Sequence, residues 1–421
     1  MNASEQNKPN QQERVIPKLR FPEFQTALGW SWKTLDQVCT ITNGKSNAQD
    51  HIENGKYPLF DRSEIIKASN DYLFDCEVVI IPGEGMKFIP KYYKGKFNLH
   101  QRAYALKDFI INGKFVYYSM LNNTTLLSKK AVQSTVLSLR LPILKNFPII
   151  KPETEEQQKI ADCLSSLDEL IELQEQKLVA LKQHKKGLMQ QLFPSHNDLQ
   201  ASKQASKQAS KQASKIVYPK LRFPQFKNCE GWEVVELKVL ANRVTVKNKD
   251  NAIIRVLTNS ANDGVIDQGD YFDRDIANKN NLDGYYIIEF GDYVYNPRIS
   301  NLAPVGPISK NKVGIGVMSP LYTVFRFKNE QNDFYEYFFK TNTWHKYLQQ
   351  NSNSGARYDR MNITNNDFMS MPLPMLIPKE QQAIADCLSS LDNLINEQNE
   401  RIGRLKTHKK GLMQQLFPTI Q

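Results

Sequence analysis

The sequence predicts a mixed α/β (α+β) chain: two globular domains separated by two long helices that pair as an antiparallel coiled coil, the whole forming a pseudo-two-fold internal repeat. Three observations carry this. A short motif near the start recurs at a constant offset of 202, from Gly29-Trp30 to Gly231-Trp232. A longer motif recurs at an offset of 224, from Glu156-Gln157-Gln158 to Glu380-Gln381-Gln382. Both copies of the longer motif carry leucine and isoleucine at alternating spacings of three and four, the mark of a coiled-coil seam.

In chain order, residues 1–14 are polar, lack the apolar stretch of a signal peptide and read as a disordered tail. Pro17-Lys18-Leu19-Arg20-Phe21-Pro22 then opens a first variable domain at 15–152, and Pro219-Lys220-Leu221-Arg222-Phe223-Pro224 opens a second at 217–378. The helices follow at 153–194 and 379–418. From Glu156 to Pro194 and from Glu380 to Pro418 they are identical at 28 of 39 positions, far more than chance allows. The two offsets differ because the second variable domain is the longer. Apolar runs such as Glu77 to Pro82 and Met318 to Phe327 read as strands, and Phe334 to Leu348 as a helix.

The seam of the first helix has Leu164, Ile171, Leu178, Lys185 and Leu192 at one heptad position, with Ile160, Leu167, Gln174, Leu181 and Leu188 at the other. The second has Leu388, Ile395, Ile402, Lys409 and Leu416, with Ile384, Leu391, Gln398, Leu405 and Leu412. An antiparallel pair brings Gln174 and Gln398 into neighbouring central layers, where a hydrogen bond across the seam would fix register. A parallel pair would also bring the glutamines together but would place both globular domains at the same end; the other alternative is two separate helices, each packed on its own domain. A helix of about 38 residues is about 57 Å long, more than one turn of duplex DNA at roughly 34–36 Å.

Between the halves, at 195–216, Gln-Ala-Ser-Lys is repeated four times from Gln200 to Lys215. Pro194 stops the preceding helix, and Asn197 or Asp198 can cap a new one. The repeats read equally as a partly helical spacer or as a solvated tether. In a helical spacer one more unit adds about 6 Å and about 40° of turn.

Composition narrows the function. Among 421 residues the formal net charge is +11, which favours a polyanionic partner. The five cysteines are widely spaced with no C-x-x-C pair, as expected of free thiols in a reducing cytoplasm. No apolar run approaches the roughly 20 residues that span a bilayer. Enzyme signatures are missing. Gly44-Lys45-Ser46 imitates the end of a phosphate-binding loop, but Cys39 stands where its first glycine belongs. Asn296-Pro297-Arg298 lacks the second proline and the aromatic of an adenine methyltransferase motif. Neither a zinc-protease H-E-x-x-H nor a nucleophile elbow occurs, and the six histidines are scattered, so no metal site is expected.

With Pro17 to Pro22, Trp30, the Glu156-Gln157-Gln158-x-Ile160-Ala161 opening and the Lys185-Lys186-Gly187 to Phe193-Pro194 closing all present twice in order, the chain resembles the specificity subunits of type I restriction-modification systems. The resemblance spans nearly its whole length. It implies two target-recognition domains on two similar helical regions, sequence-specific binding of duplex DNA at a bipartite site, and no catalysis by this chain. It also implies assembly with two modification (adenine methyltransferase) subunits and two ATP-driven restriction subunits, which would use S-adenosylmethionine, ATP and Mg. Central tetrapeptide repeats set the unread spacer in that family. A coiled-coil adaptor that binds only proteins is the competing reading; it leaves two large, basic, divergent domains unexplained.

Candidate DNA contacts in the first domain are Lys87, Lys91, Lys94, Lys96 and Arg102, in a stretch without acidic residues, with Lys45 as weaker evidence. Lysines suit phosphates. Gln101 and Arg102 suit base edges, glutamine for adenine and arginine for guanine. The interleaved Phe88, Tyr92, Tyr93 and Phe97 read as strand core. In the second domain Arg298 and the glycine-bearing loop with Arg357, Tyr358 and Arg360 are the candidates. Because the two domains differ, the DNA target should be asymmetric.

Overall fold

The computed structural model describes residues 14–133, 136–199, 216–271, 282–352 and 359–420. The tail before Arg14 and the Gln-Ala-Ser-Lys repeats lie outside them. The chain divides into two units: Met1–Lys177 with Gln398–Gln421, and Leu178–Glu397. Each long helix therefore contributes its opening to one unit and its close to the other.

The first unit carries β1 (Ser31–Thr34), β2 (Thr40–Asn43), β3 (Tyr57–Phe60), β4 (Lys67–Ser69), β5 (Phe74–Pro82), β6 (Lys91–Leu99), β7 (Ala103–Lys107) and β8 (Pro148–Lys151). Its main sheet runs β2-β7-β5-β6-β3-β4, antiparallel except where β3 meets β6. The run Val78 to Ile81 is fully buried because β5 sits between β6 and β7 with both faces covered. The period of two holds even there. Val79 and Ile81 face a core with Leu106, Val116 and Phe147, while Val78 and Ile80 face one with Phe60 and Phe97. Helix α1 (Gly113–Asn122) starts where Asn112 accepts a hydrogen bond from the Phe115 amide. Short α2 (Thr124–Lys130) and α3 (Leu141–Lys145) follow. The β1–β8 ribbon joins the two ends of the domain just before α4 (Thr154–Leu192) begins.

The second unit repeats this plan with more strands. It contains β9 (Ile216–Val217), β10 (Trp232–Glu236), β11 (Ala241–Arg243), β12 (Val256–Ser260), β13 (Gly264–Asp267), β14 (Tyr286–Ile288), β15 (Tyr293–Tyr295), β16 (Ile308–Lys310), β17 (Gly316–Met318), β18 (Thr323–Phe327) and β19 (Pro372–Met375). The sheets run β19-β10-β9, β11-β18-β15-β16 and β13-β12-β17-β14. Met318 to Phe327, expected as one strand, is two strands in different sheets, because Tyr322 N–H closes a turn on the Ser319 carbonyl. Phe334 to Leu348, expected as one helix, is α5 (Asp333–Phe339) and α6 (His345–Asn351). The break is stabilised by two local bonds and one that reaches back to the end of the first long helix. Thr341 Oγ1 donates to the Phe338 carbonyl (2.7 Å), Thr343 Oγ1 to Pro194 (3.0 Å) and Trp344 Nε1 to Phe339 (3.1 Å). After α7 (Asn365–Met369), α8 (Pro378–Leu416) is the second long helix. Past Pro194 the cap of the new helical turn is Ser195, not Asn197 or Asp198. Asp198 instead returns its carboxylate to the Ser195 amide at 2.7 Å, a reciprocal capping box.

Within each unit the two long helices run antiparallel. In the first, α4 meets α8 at Asp168 with Lys409 and at Glu175 with Lys406, so one numbering rises as the other falls. In the second, Lys185 meets Asp392, and Leu192 shares a core with Ile384 and Leu388. Leu164, Ile171, Leu388, Ile395 and Ile402 are buried; Leu167, Leu178, Leu181, Leu391 and Leu405 are half-buried. Gln398 is buried and donates from Nε2 to both the carbonyl and Oε1 of Gln174, at 2.9 Å each. The expected polar layer is formed.

Candidate nucleic-acid interface

Each globular domain is held on the helices by two devices that recur residue for residue. The first joins the opening motif to the helix start. Arg20 meets Glu156 through Nε at 2.7 Å and Nη2 at 2.6 Å, and also donates to the carbonyls of Ala27 and Leu28. Arg222 does the same with Glu380 at 2.6 and 2.7 Å, and with Cys229 and Glu230. Bidentate pairing raises both guanidinium pKa values further, hydrogen bonding to the carboxylate outweighing burial.

The second device explains the seam lysines. Lys409 pairs with Asp168, and its ammonium lies 5.2 Å from the centre of the Tyr118 ring, whose hydroxyl donates to Asp168 at 2.8 Å. Lys185, Asp392 and Tyr337 form the same triad, with 5.2 Å and 2.9 Å for the corresponding contacts. Burial, with the neighbouring carboxylate, drives both phenols well above their ordinary range. The closing Leu-Phe-Pro motif then completes each core. Phe417 lies 6.3 Å from Trp30 and 5.3 Å from Phe115, and Phe193 lies 5.1 Å from Phe334. The sequence displays these motifs but does not by itself pair them. The signal that could have done so is that both halves of each ion pair recur together.

On the first domain an open cleft of about 590 Å³ is lined by Asn47, Gln49, Asp61, Arg62, Lys67, Glu84, His100, Gln101 and Arg102. Two of the expected base readers, Gln101 and Arg102, are therefore on one surface, with Asn47, Arg62, Lys67, Glu84 and His100 added by the structure. Gln101 Nε2 donates to Asn47 Oδ1 at 2.8 Å, and Arg102 Nη1 to Glu84 Oε2 at 2.9 Å. Lys67 meets Asp61 at 2.7 Å and, with the Ser63 amide, holds that carboxyl below its ordinary range against the opposing effect of burial. A neighbouring cleft of about 570 Å³ takes in Arg62, Met86, Lys87 and Lys91.

Of the expected phosphate contacts, Lys45, Lys87, Lys94 and Lys96 are exposed, and Lys96 stands 4.7 Å over the Tyr72 ring. Lys91 is half-buried at the edge of that second cleft, donating to the Ser63 carbonyl at 2.5 Å, and burial lowers its pKa. Phe88 and Phe97 are fully buried; Tyr92 is half-buried and bonds Glu77 at 2.8 Å, and Tyr93 packs on Phe60.

On the second domain Arg298 and Arg360, sixty-odd residues apart in sequence, face each other across an antiparallel β-bridge. Asp359 lies 3.7 Å from Arg298 and 3.8 Å from Arg360. Arg357 and Tyr358 lie outside the described residues. Among the described residues no cluster of three or more His, Cys, Asp or Glu is placed to hold a metal ion, and no helix is long and apolar enough to cross a membrane.

A family model described as the type I restriction modification DNA specificity domain matches residues 28–183 and again 229–405. The chain belongs to this family and carries its domain twice. Among similar proteins, the EcoDI specificity subunit of a type I restriction enzyme from Escherichia coli is 30% identical over 138 residues, covering 32% of this chain and 31% of that one. The chain thus spans about a third of that subunit in the match. The MjaVIII specificity subunit of Methanocaldococcus jannaschii is 26% identical over 386 residues, covering 86% of this chain and 81% of the relative. In fold, the chain is similar to the type I restriction-modification S subunit of M. genitalium, with a TM-score of 0.57 at 14% identity over 97% of this chain and 100% of that one. A chain from a structure of type I R-M complex assembly and conformational transition gives a TM-score of 0.50 at 13% identity, covering 92% and 97%.

Proposed function

We propose that this chain is the DNA-reading subunit of a cytoplasmic type I restriction-modification complex active in host defence, each domain recognising one half of a bipartite, asymmetric site. The observation that carries this is the contrast between frame and head. The Arg–Glu and Lys–Asp–Tyr devices repeat atom for atom, while the surfaces they carry differ: an Arg102–Glu84 cleft on one domain and an Arg298–Arg360 pair on the other. An identical frame suits identical partners, and unlike heads suit unlike half-sites. The partners are two modification subunits, which methylate adenine with S-adenosylmethionine, and two restriction subunits that use ATP and Mg. The chain itself positions them and carries out no catalysis, and it needs no metal of its own. In the Gln-Ala-Ser-Lys repeats this reading sees the ruler between half-sites.

Methylation-aware sequencing of host DNA with and without the gene tests the proposal. The expected result is an asymmetric, two-part adenine-methylated motif that disappears with the gene. A palindromic motif, or none, would overturn it.

A further inference from the structure

We infer that Glu84 is a specificity-positioning residue: it holds the Arg102 guanidinium as a preoriented fork that reads guanine in one half-site. The inference rests on the DNA-reading role proposed above and assigns, within it, the group that reads a base.

The backbone under Arg102 is fixed from three sides. Gln101 N–H donates to the Ser46 carbonyl at 2.9 Å, Ala103 N–H to His100 at 2.9 Å, and Gly83 N–H to the Arg102 carbonyl at 2.9 Å. The approach at Gly83 is so close that a Cβ there would lie 2.4 Å from the Arg102 oxygen. Glu84 is fixed as well. It forms an antiparallel bridge with Ser138, flanked by hydrogen bonds from Gly85 to Leu137 (3.1 Å) and from Leu139 to Gly83 (2.8 Å). Two side chains on two rigid loops thus meet at 2.9 Å, with Arg102 62% exposed. So exposed a pair adds little to stability. Its effect is on orientation: Nη1 is engaged by Glu84, and the guanidinium, with its other N–H donors uncommitted to that carboxylate, lines the cleft.

Charge indicates what those donors meet. The cleft sets Arg62, Lys67 and Arg102 against Asp61 and Glu84. Two carboxylates make a poor phosphate clamp. A guanidinium already neutralised by a carboxylate favours neutral acceptors, and guanine N7 and O6 offer two at the spacing of the fork. The second domain also sets arginine against a carboxylate, but with different residues on different loops. Ile299 N–H donates to the Asp359 carbonyl (2.9 Å) and Met361 N–H to Pro297 (2.8 Å), setting Arg298 and Arg360 around the Asp359 carboxylate.

The test is the methylation motif written by the assembled complex carrying wild-type chain, Arg102→Ala, Arg102→Lys, Glu84→Ala or Glu84→Gln, with binding to randomised duplexes measured over a salt series. Expected is loss of discrimination at a single G·C pair of one half-site, by about 10- to 100-fold for both Arg102 variants. The Glu84 variants should relax the same position, Glu84→Gln less than Glu84→Ala. The other half-motif should be unchanged, which also reports an intact fold. If Arg102→Ala instead weakens binding to all sequences alike and lowers the salt slope by about one, the arginine is a phosphate contact and the inference fails. It fails equally if Glu84→Ala removes a preference for cytosine while Arg102→Ala is silent. A wild-type complex that writes no motif would overturn the DNA-reading role itself, and this inference with it.

Discussion

Replacing Glu156 with alanine strands a buried guanidinium. The Arg20 side chain is 6% exposed and that of Glu156 2%, and the pair makes two charge-assisted hydrogen bonds of 2.6–2.7 Å. Breaking one side of a buried pair costs about 3–5 kcal/mol, mostly as the uncompensated charge left behind. Arg20 keeps the carbonyls of Ala27 and Leu28, at 2.7 and 3.0 Å, so the lower end applies and the expected loss is about 3 kcal/mol. Hydrogen exchange followed by mass spectrometry reads this locally, as faster exchange in the first turns of α4. Glu380→Ala repeats the experiment at α8, where Arg222 likewise keeps two carbonyls, and should give a similar loss. A loss below about 1 kcal/mol at either helix, the value of an exposed pair, would refute the reasoning.

Three further outcomes follow from the helices and the second domain. Changing Gln174 and Gln398 together to leucine removes the polar layer and should raise thermal stability by about 1–2 kcal/mol while loosening register; a fall in melting temperature counts against it. A Cβ added at Gly187 or Gly411 would meet nothing within 4 Å, so alanine at each should stabilise its helix by about 0.5–1 kcal/mol in thermal denaturation. No gain at either would show that a helix-propensity argument does not apply there. Burial would raise the Glu336 carboxyl, but Lys340 at 3.0 Å and Lys312 at 2.8 Å prevail and hold it below its ordinary 4.5. A depressed carboxyl contributes stability that is complete above its unfolded value and lost as pH falls through the folded one. Denaturation midpoints of wild type and Glu336→Gln should therefore differ at neutral pH and converge well below pH 4.5; a constant gap would refute the sign.

Periodicity made the helices legible. Leu164, Ile171, Leu388, Ile395 and Ile402 are buried because a seam is written at fixed spacing, and the central glutamines could be placed by counting. Turns were less legible. Phe334 to Leu348 has helical apolar spacing, yet Thr341 and Thr343 turn their hydroxyls onto carbonyls and end the helix inside it. The clefts were only half legible, since their lining comes from loops that cross in space. Gln101 and Arg102 stood out by type, whereas Asn47, Arg62 and Glu84 acquire meaning only once the loops after β2, β3 and β5 meet beside them.

The Trp30 core includes Leu416, Phe417 and Ile420, from the far end of the chain. On a ribosome the first domain therefore emerges long before the residues that complete it. Its contacts close a loop of nearly four hundred residues, from Trp30 to Ile420, an entropic cost that slows folding. The second unit, built from one unbroken stretch, Leu178–Glu397, can assemble while synthesis continues. The Trp30 core therefore waits on both long helices, whereas the second unit draws on nothing beyond Glu397.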